Sequence, residues 1–568
     1  VDDGRIRILP NQPWGDVYRN WMTNVRDWCI SRQLMWGHRI PIWQHRDDPG
    51  RVICWAGDGE PPEALAEPGM WVQEKDVLDT WFSSALWPAS TLGWPDAQAA
   101  DFKRWYPTSV LVTGHDILFF WVARMVMFGI ELAGDIPFKD VYLHGLIFGK
   151  SHYVNEGGRK KLIPPAEARE MEAAGRLPKN AEAKWEKMSK SKGNVIDPLQ
   201  VIDEFGADAL RLTVSAYAGL GRNIDLDWSR FEGYRNFVNK LWNATRFVLM
   251  VTESLDGAAF RAGVARQSLA LEDRWILSQL ARTVRAVTTH LEEYELDKAV
   301  QALYDFTWRN HCDWYLEMVK PRIPGADAAS RAAAQVTLLT VTEHICRLLH
   351  PFTPFATEEI WQILRARTTA LEPGQPGSAA TRADGFADGF AAPSLCVAPW
   401  PAVPPSAIDE QADAAVALFQ ETVGAIRNIR GEMRVPADHK LDVLVEHADA
   451  AARGSLEAQA SAIRSLAGVQ ALRVAESIER PRFVSTYVSG AMTLLVVLPE
   501  DLLASERDRL AKEIAFSEKG LAASRAKLAN EKFAAKAPEA VVQAEKERCA
   551  KLEADVAALR ARLAEIGG

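Results

Sequence analysis

Between residues 187 and 194 the chain reads Lys187-Met188-Ser189-Lys190-Ser191-Lys192-Gly193-Asn194, with Asp197-Pro198 close behind. Lysines flanking small hydroxyl residues in a Gly- and Ser-rich loop suit closure on a triphosphate. Their ammonium groups would neutralise charge as pyrophosphate departs, which is electrostatic stabilisation of a transition state rather than acid–base work. Two lysines alone would fit a solvated basic loop equally well, but the full string with its Gly-Asn and Asp-Pro continuation favours phosphate chemistry. Other chemistries find less support. Cys29, Cys54, Cys312, Cys346, Cys396 and Cys549 are far apart and form no CxxC pair, so no zinc is expected and a cytoplasmic, reducing compartment is. His38, His115 and His144 are too scattered to make a metal site. The formal net charge of −9 gives no global pull on a polyanion, so a nucleic-acid partner would have to be held by local basic patches.

These residues need a scaffold, and the 568 residues, 48% hydrophobic and 25% charged, are enough for several domains. Twelve of the 20 tryptophans precede residue 122, whereas the second half is rich in Ala, Leu, Glu and Arg. Up to about residue 229, short β-like runs (Val110 to Thr113, Val141 to Leu143) alternate with helical stretches such as Phe119 to Leu132, the pattern of an α/β sheet. The apolar run Ile117 to Ala133 contains Arg124 and Glu131, so it reads as a buried helix and not as a membrane span. From 230 onward Phe237, Leu241, Ala244 and Val248 recur at helical spacing, predicting a helix bundle. Residues 371–407, rich in Gly, Ala and Pro, read as a surface loop or linker. Runs at 441–445 and 493–497 predict strands around a helix near 452–466. The tail repeats apolar residues with heptad spacing on both sides of Asn530 and Pro538, predicting an antiparallel coiled-coil hairpin.

The lysine string resembles the second signature of class I aminoacyl-tRNA synthetases. Asp27-Trp28-Cys29-Ile30-Ser31-Arg32-Gln33, Asp79-Thr80-Trp81-Phe82-Ser83-Ser84 and Thr113-Gly114-His115-Asp116-Ile117 are similar to the valyl branch of that family, as are Cys312-Asp313-Trp314-Tyr315 and Leu349-His350-Pro351-Phe352-Thr353-Pro354. The resemblance implies a Rossmann-like α/β catalytic domain (its C-terminal part), then a helical anticodon-binding bundle, a small α/β unit and a coiled-coil arm. The expected boundaries are 1–25 for the end of an editing insertion, 26–229 for the catalytic part, 230–435 for the bundle, 436–500 for the α/β unit and 501–568 for the arm. No His-x-Gly-His string is present, so the chain is expected to be N-terminally truncated and inactive in adenylation by itself. Gly149 to Glu186 stands out as an insertion ahead of the lysine loop.

What the resemblance implies about sites is specific. Lys190 and Lys187 would contact ATP phosphates with Ser189 and Ser191, Gly114 and Asp116 would lie against adenosine, and Trp28 and Trp81 would line a valine pocket. Arg309, Trp314 and Tyr315 could stack on unpaired anticodon bases, or simply pack in the bundle. Arg525, Lys527, Lys532 and Lys536, opposed along the chain only by Glu531, could grip tRNA phosphates at the hairpin tip, or belong to a solvated coiled-coil end. The implied activity is valine–tRNA ligation, with ATP and Mg²⁺, valine and tRNA(Val) as partners and neither membrane nor DNA. An isoleucyl enzyme and a non-catalytic tRNA-binding relative are the alternatives.

Overall fold

A computed structural model describes the chain except residues 190–191, 325–326, 372–380, 405, 482–483, 498–499, 530–538 and 568. The first half is organised by two sheets. β1 (Arg7–Leu9), β2 (Thr108–Gly114) and β3 (Phe138–His144) form a parallel sheet in the order β1-β3-β2. Gly114 lies opposite His144, so β2 and β3 end together at one edge, while β1 ends with Leu9 opposite Tyr142. Val141 and Leu143 are fully buried and pack with Leu118, Val122 and Met125 from the apolar run, which is helical and contains two wide π-type turns.

The second sheet is antiparallel, in the order β5 (Arg159–Ile163), β4 (Ile147–Glu156), β6 (Ala181–Lys187), with β7 (Ile224–Leu226) running parallel to β4. The insertion seen in the sequence is therefore a folded extension: β4, β5 and β6 come from it, and between β5 and β6 sits helix α1 (Pro165–Ala173). After the lysine signature, Asp197 caps α2 (Pro198–Phe205) by accepting from the Leu199 amide, with Pro198 at the first helical position where its missing N–H costs nothing. Asp227 caps α3 (Trp228–Val251) in the same way.

The bundle continues with α4 (Leu271–Glu292) and α5 (Ala328–Leu349), and one core runs on from these helices into the C-terminal α/β unit. Every residue of α5 from Ala333 to Leu349 is buried, the signature of a helix surrounded on all sides. The stretch expected to be a surface loop is packed instead. Its 372–380 part lies outside the described residues, but Ala383, Phe386, Phe390, Leu395 and Ala407 are buried in the bundle core. Small residues between these anchors let the chain lie close to the helices, which composition alone does not reveal. Helix α6 (Glu410–Glu432) then carries the core into a sheet of β8 (Leu441–His447), β9 (Val469–Ala475), β10 (Val484–Ser489) and β11 (Met492–Val497), ordered β9-β8-β11-β10. Helices α7 (Glu500–Ala529) and α8 (Glu539–Gly567) pack antiparallel, Arg560 reaching Glu518 and Arg525 reaching Glu553.

Candidate active site

The carboxyl edge of the parallel sheet is where an open α/β fold receives ligands, and the lysine signature meets it there. Lys187 is the last residue of β6, and its Nζ lies 3.3 Å from Asp116 Oδ2, just past the end of β2. Both side chains are well exposed, Lys187 60% and Asp116 47%. A pair this open is worth about 0–1 kcal/mol, so an anionic ligand can replace the carboxylate at little cost. Gly114 permits the turn: a Cβ there would stand 2.5 Å from Asp116 Oδ1. His144, opposite Gly114, turns its Nδ1 to the Gly145 carbonyl at 2.9 Å, and His115 lies against Trp14.

The signature is held from behind. Asn194 is buried; its Oδ1 accepts from the Ser189 amide at 2.9 Å and its Nδ2 donates to Ser151 Oγ at 3.2 Å. Met188 packs on the cluster of Val201, Ile224, Leu226 and Phe231. Lys192 donates to Glu186 at 2.7 Å, and Tyr153 donates to the other oxygen at 2.7 Å. The hydrogen bond from Lys192, then that from Tyr153, brings the Glu186 carboxyl down to about 2. Lys192 is thus committed to structure while Lys187 faces the strand ends. Lys190 and Ser191, the other expected phosphate contacts, lie outside the described residues. Sequence reasoning gives no role to Asn194, Glu186, Ser151 or Tyr153. Asn194 carries a signal, being the polar residue that directly follows the glycine, but its partner on β4 is 43 residues away.

Trp28 and Trp81 converge on one buried carboxylate. Trp28 Nε1 donates to Asp79 Oδ2 at 2.8 Å, Arg32 donates to the same oxygen at 2.7 Å, and the Trp81 amide donates to Asp79 Oδ1 at 3.3 Å. The Arg124 guanidinium sits 3.6 Å from the centre of the Trp28 ring and 3.9 Å from Asp79. One face of Trp28 is therefore covered by a cation, a favourable arrangement when shielded from water. Burial lowers the Arg124 pKa against the pull of Asp79. Trp81 stacks on Phe120 at 5.7 Å. Arg124 is visible in the sequence as the charge that breaks the apolar run, and Asp79 as a helix cap ahead of Thr80; their meeting is not.

The expected RNA contacts divide. Arg309 is exposed and pairs with Asp305 at 3.1 Å. Trp314 is half-buried, edge-on to Phe419 with Arg427 5.7 Å from its ring centre. Tyr315 is a correction: it is fully buried and donates to Asp273 at 2.7 Å, which leaves no ring face for a base. Arg322, bonded to both Glu272 and Asp273, completes that interior network. The tip cations need a second correction. Arg525 pairs with Glu553 at 2.7 Å and Lys527 with Glu545 at 3.7 Å. They are opposed by carboxylates from the other arm of the hairpin, which counting along the chain misses. Lys532 and Lys536 lie outside the described residues.

Three domain families match this chain in succession: tRNA synthetases class I (I, L, M and V) at residues 2–160 and 181–227, the anticodon-binding domain of tRNA ligase at 273–445, and the valyl tRNA synthetase tRNA binding arm at 503–567. The valine–tRNA ligase of Protochlamydia amoebophila is 42% identical over 99% of this chain and 60% of its own length. That of Syntrophotalea carbinolica is 40% identical over 100% and 56%. The chain thus spans less than two thirds of the length of these relatives. Among solved structures, Mycobacterium tuberculosis methionyl-tRNA synthetase in complex with methionyl-adenylate is similar at a TM-score of 0.45 and 17% identity, covering 71% of this chain and 64% of that one.

Proposed function

We propose that this chain, whose residues 2–160 and 181–227 match the class I tRNA synthetases (I, L, M and V), serves as part of a valine–tRNA ligase. The valine carboxylate attacks the α-phosphorus of ATP, carried as its magnesium complex, to give valyl-adenylate and pyrophosphate. The valyl group then passes to the terminal adenosine of tRNA(Val). The observation that carries this reading is the meeting of Lys187 with Asp116 at the carboxyl edge of the parallel sheet. Phosphate oxygens arriving there take the place of the Asp116 carboxylate on Lys187, and Lys190 with Ser189 and Ser191 adds donors as negative charge builds on the departing pyrophosphate. Gly114, lacking a side chain, allows adenosine to approach the β2 end, with Asp116 beside it. Trp28 and Trp81, fixed through Asp79, frame a pocket for a small branched side chain. For tRNA, Arg309 and Trp314 on the bundle and Arg525, Lys527, Lys532 and Lys536 on the arm supply the contacts.

Valine-dependent exchange of pyrophosphate into ATP, measured on the protein that contains this chain, tests the reading. Valine is expected to support exchange far better than isoleucine. Exchange driven by isoleucine in preference to valine would reject the assignment.

A further inference from the structure

The class I catalytic match passes over residues 161–180, and that segment carries α1, which lies against the exit of the lysine signature. The Pro165 ring lies beside Gly193: a Cβ added to Gly193 would stand 3.6 Å from Pro165 Cδ, and Gly193 itself holds a φ of +65°. One turn further, Arg169 spreads its guanidinium 3.7 Å from the centre of the Trp228 ring at the start of α3 and donates to Glu204 of α2 at 2.9 Å. On the next turn Glu172 pairs with Lys150 of β4 and lies 3.9 Å from His152. Positions 165, 169 and 172 share one helix face. That single face therefore reaches the signature's exit, the helix beyond it, the head of α3 and the strand beneath. A cavity of about 460 Å³ remains between these elements, lined by Lys150, His152, Arg169, Glu172, Asn194 and Trp228 among others.

We propose that α1 braces the lysine signature and that Arg169 is its positioning residue. Arg169 ties α2 to α3, which fixes the chain leaving the signature at Gly193 and Asn194. Asn194 in turn holds the Ser189 amide, so the brace sets where the signature's backbone stands relative to Asp116 and the strand ends. The structural claim concerns this chain alone; its kinetic consequence rests on the proposed valine activation.

Hydrogen–deuterium exchange on the 568-residue chain tests the first. Arg169→Ala is expected to speed exchange across residues 187–197 roughly tenfold while α4 keeps its protection. Arg169→Lys, which retains a charge for Glu204 but not a flat group for Trp228, should give a smaller rise, and Glu204→Gln a comparable one. Unchanged exchange at 187–197 in Arg169→Ala overturns the brace. If that variant also loses protection in α4, the two milder variants decide by the same criterion. In valine-dependent pyrophosphate exchange by the intact protein, Arg169→Ala should lower kcat roughly tenfold with the KM for valine unchanged, and Arg169→Lys should recover most of it. A kcat equal to the parent's overturns the positioning role. No valine-dependent exchange in the parent itself would sink the functional reading and leave the deuterium result to judge the brace.

Discussion

The lysine signature and α5 use ion pairs for opposite ends. Around the signature, Lys187 and Asp116 stand in the open, and their pairing is weak enough to yield to a ligand. Inside the bundle, Glu343 and Arg347 are almost wholly removed from water, 2.8 Å apart, and Glu343 also takes the Trp361 indole N–H and the Gly389 amide. A charge buried this deeply survives only when it is paired and its lone pairs are used. The same kind of ion pair is thus exchangeable at one place and indispensable at the other, and burial makes the difference.

Breaking the interior pair should have the largest effect. Glu343→Ala strands the Arg347 guanidinium and is expected to cost about 3–5 kcal/mol, read as a fall in the urea midpoint of the bundle. Acid should act at the same place. Burial alone would raise the Glu343 carboxyl, but Arg347 and His344 outweigh it and hold it at about 2. The folded value lies below the ordinary 4.5, so the stability it contributes is present above that pH and lost as pH falls toward 2. A bundle equally stable at pH 5 and pH 2.5 would show that Glu343 is not so held.

Next comes the exposed pair. Lys187→Ala should lower the rate of valyl-adenylate formation on the order of 10²-fold while shifting the unfolding midpoint by no more than about 0.5 kcal/mol allows. A loss of stability matching the loss of rate would erase the contrast between the two regions. Tyr315→Phe belongs to the interior class: removing its bond to Asp273 should cost about 1 kcal/mol and leave tRNA affinity unchanged in a filter-binding assay. The smallest effect is expected at the arm. Replacing Arg525 and Lys527 with Ser should weaken tRNA binding modestly and flatten its salt dependence by less than one unit per lost phosphate contact, because Glu553 and Glu545 already occupy these cations.

The same contrast explains which features are legible in the sequence. The signature, the strand ends at Gly114 and His144, the Asp-capped helices and the heptads of the arm are local patterns, written in consecutive residues. Tyr315 and Trp314 are adjacent aromatics that sequence alone cannot rank, yet one is sealed on Asp273 and the other half-open beside Phe419; only the third dimension separates them. Lys187 and Asp116 each stand out, but their 71-residue separation hides the contact. Arg525 looks unopposed because Glu553 comes from the returning helix. The packed stretch after residue 380 reads as a loop because Gly and Ala mark loops and close packing alike.

Among the described residues, the apolar cluster at the foot of the arm is small. Leu510 is buried against Met433, Leu559 and Leu563, where the arm meets the chain just beyond α6. From Leu510 to Ala529 the helix runs on for nineteen residues, about 28 Å at 1.5 Å per residue. That ratio makes the arm a lever: a tilt of about 10° at the foot carries the far end through about 5 Å, more than the reach of a hydrogen bond. The apolar side chains at the foot therefore bear on where Arg525 and Lys527, farther along the arm, are carried. A substitution there would redirect the far end of the arm without altering a single charge that it carries.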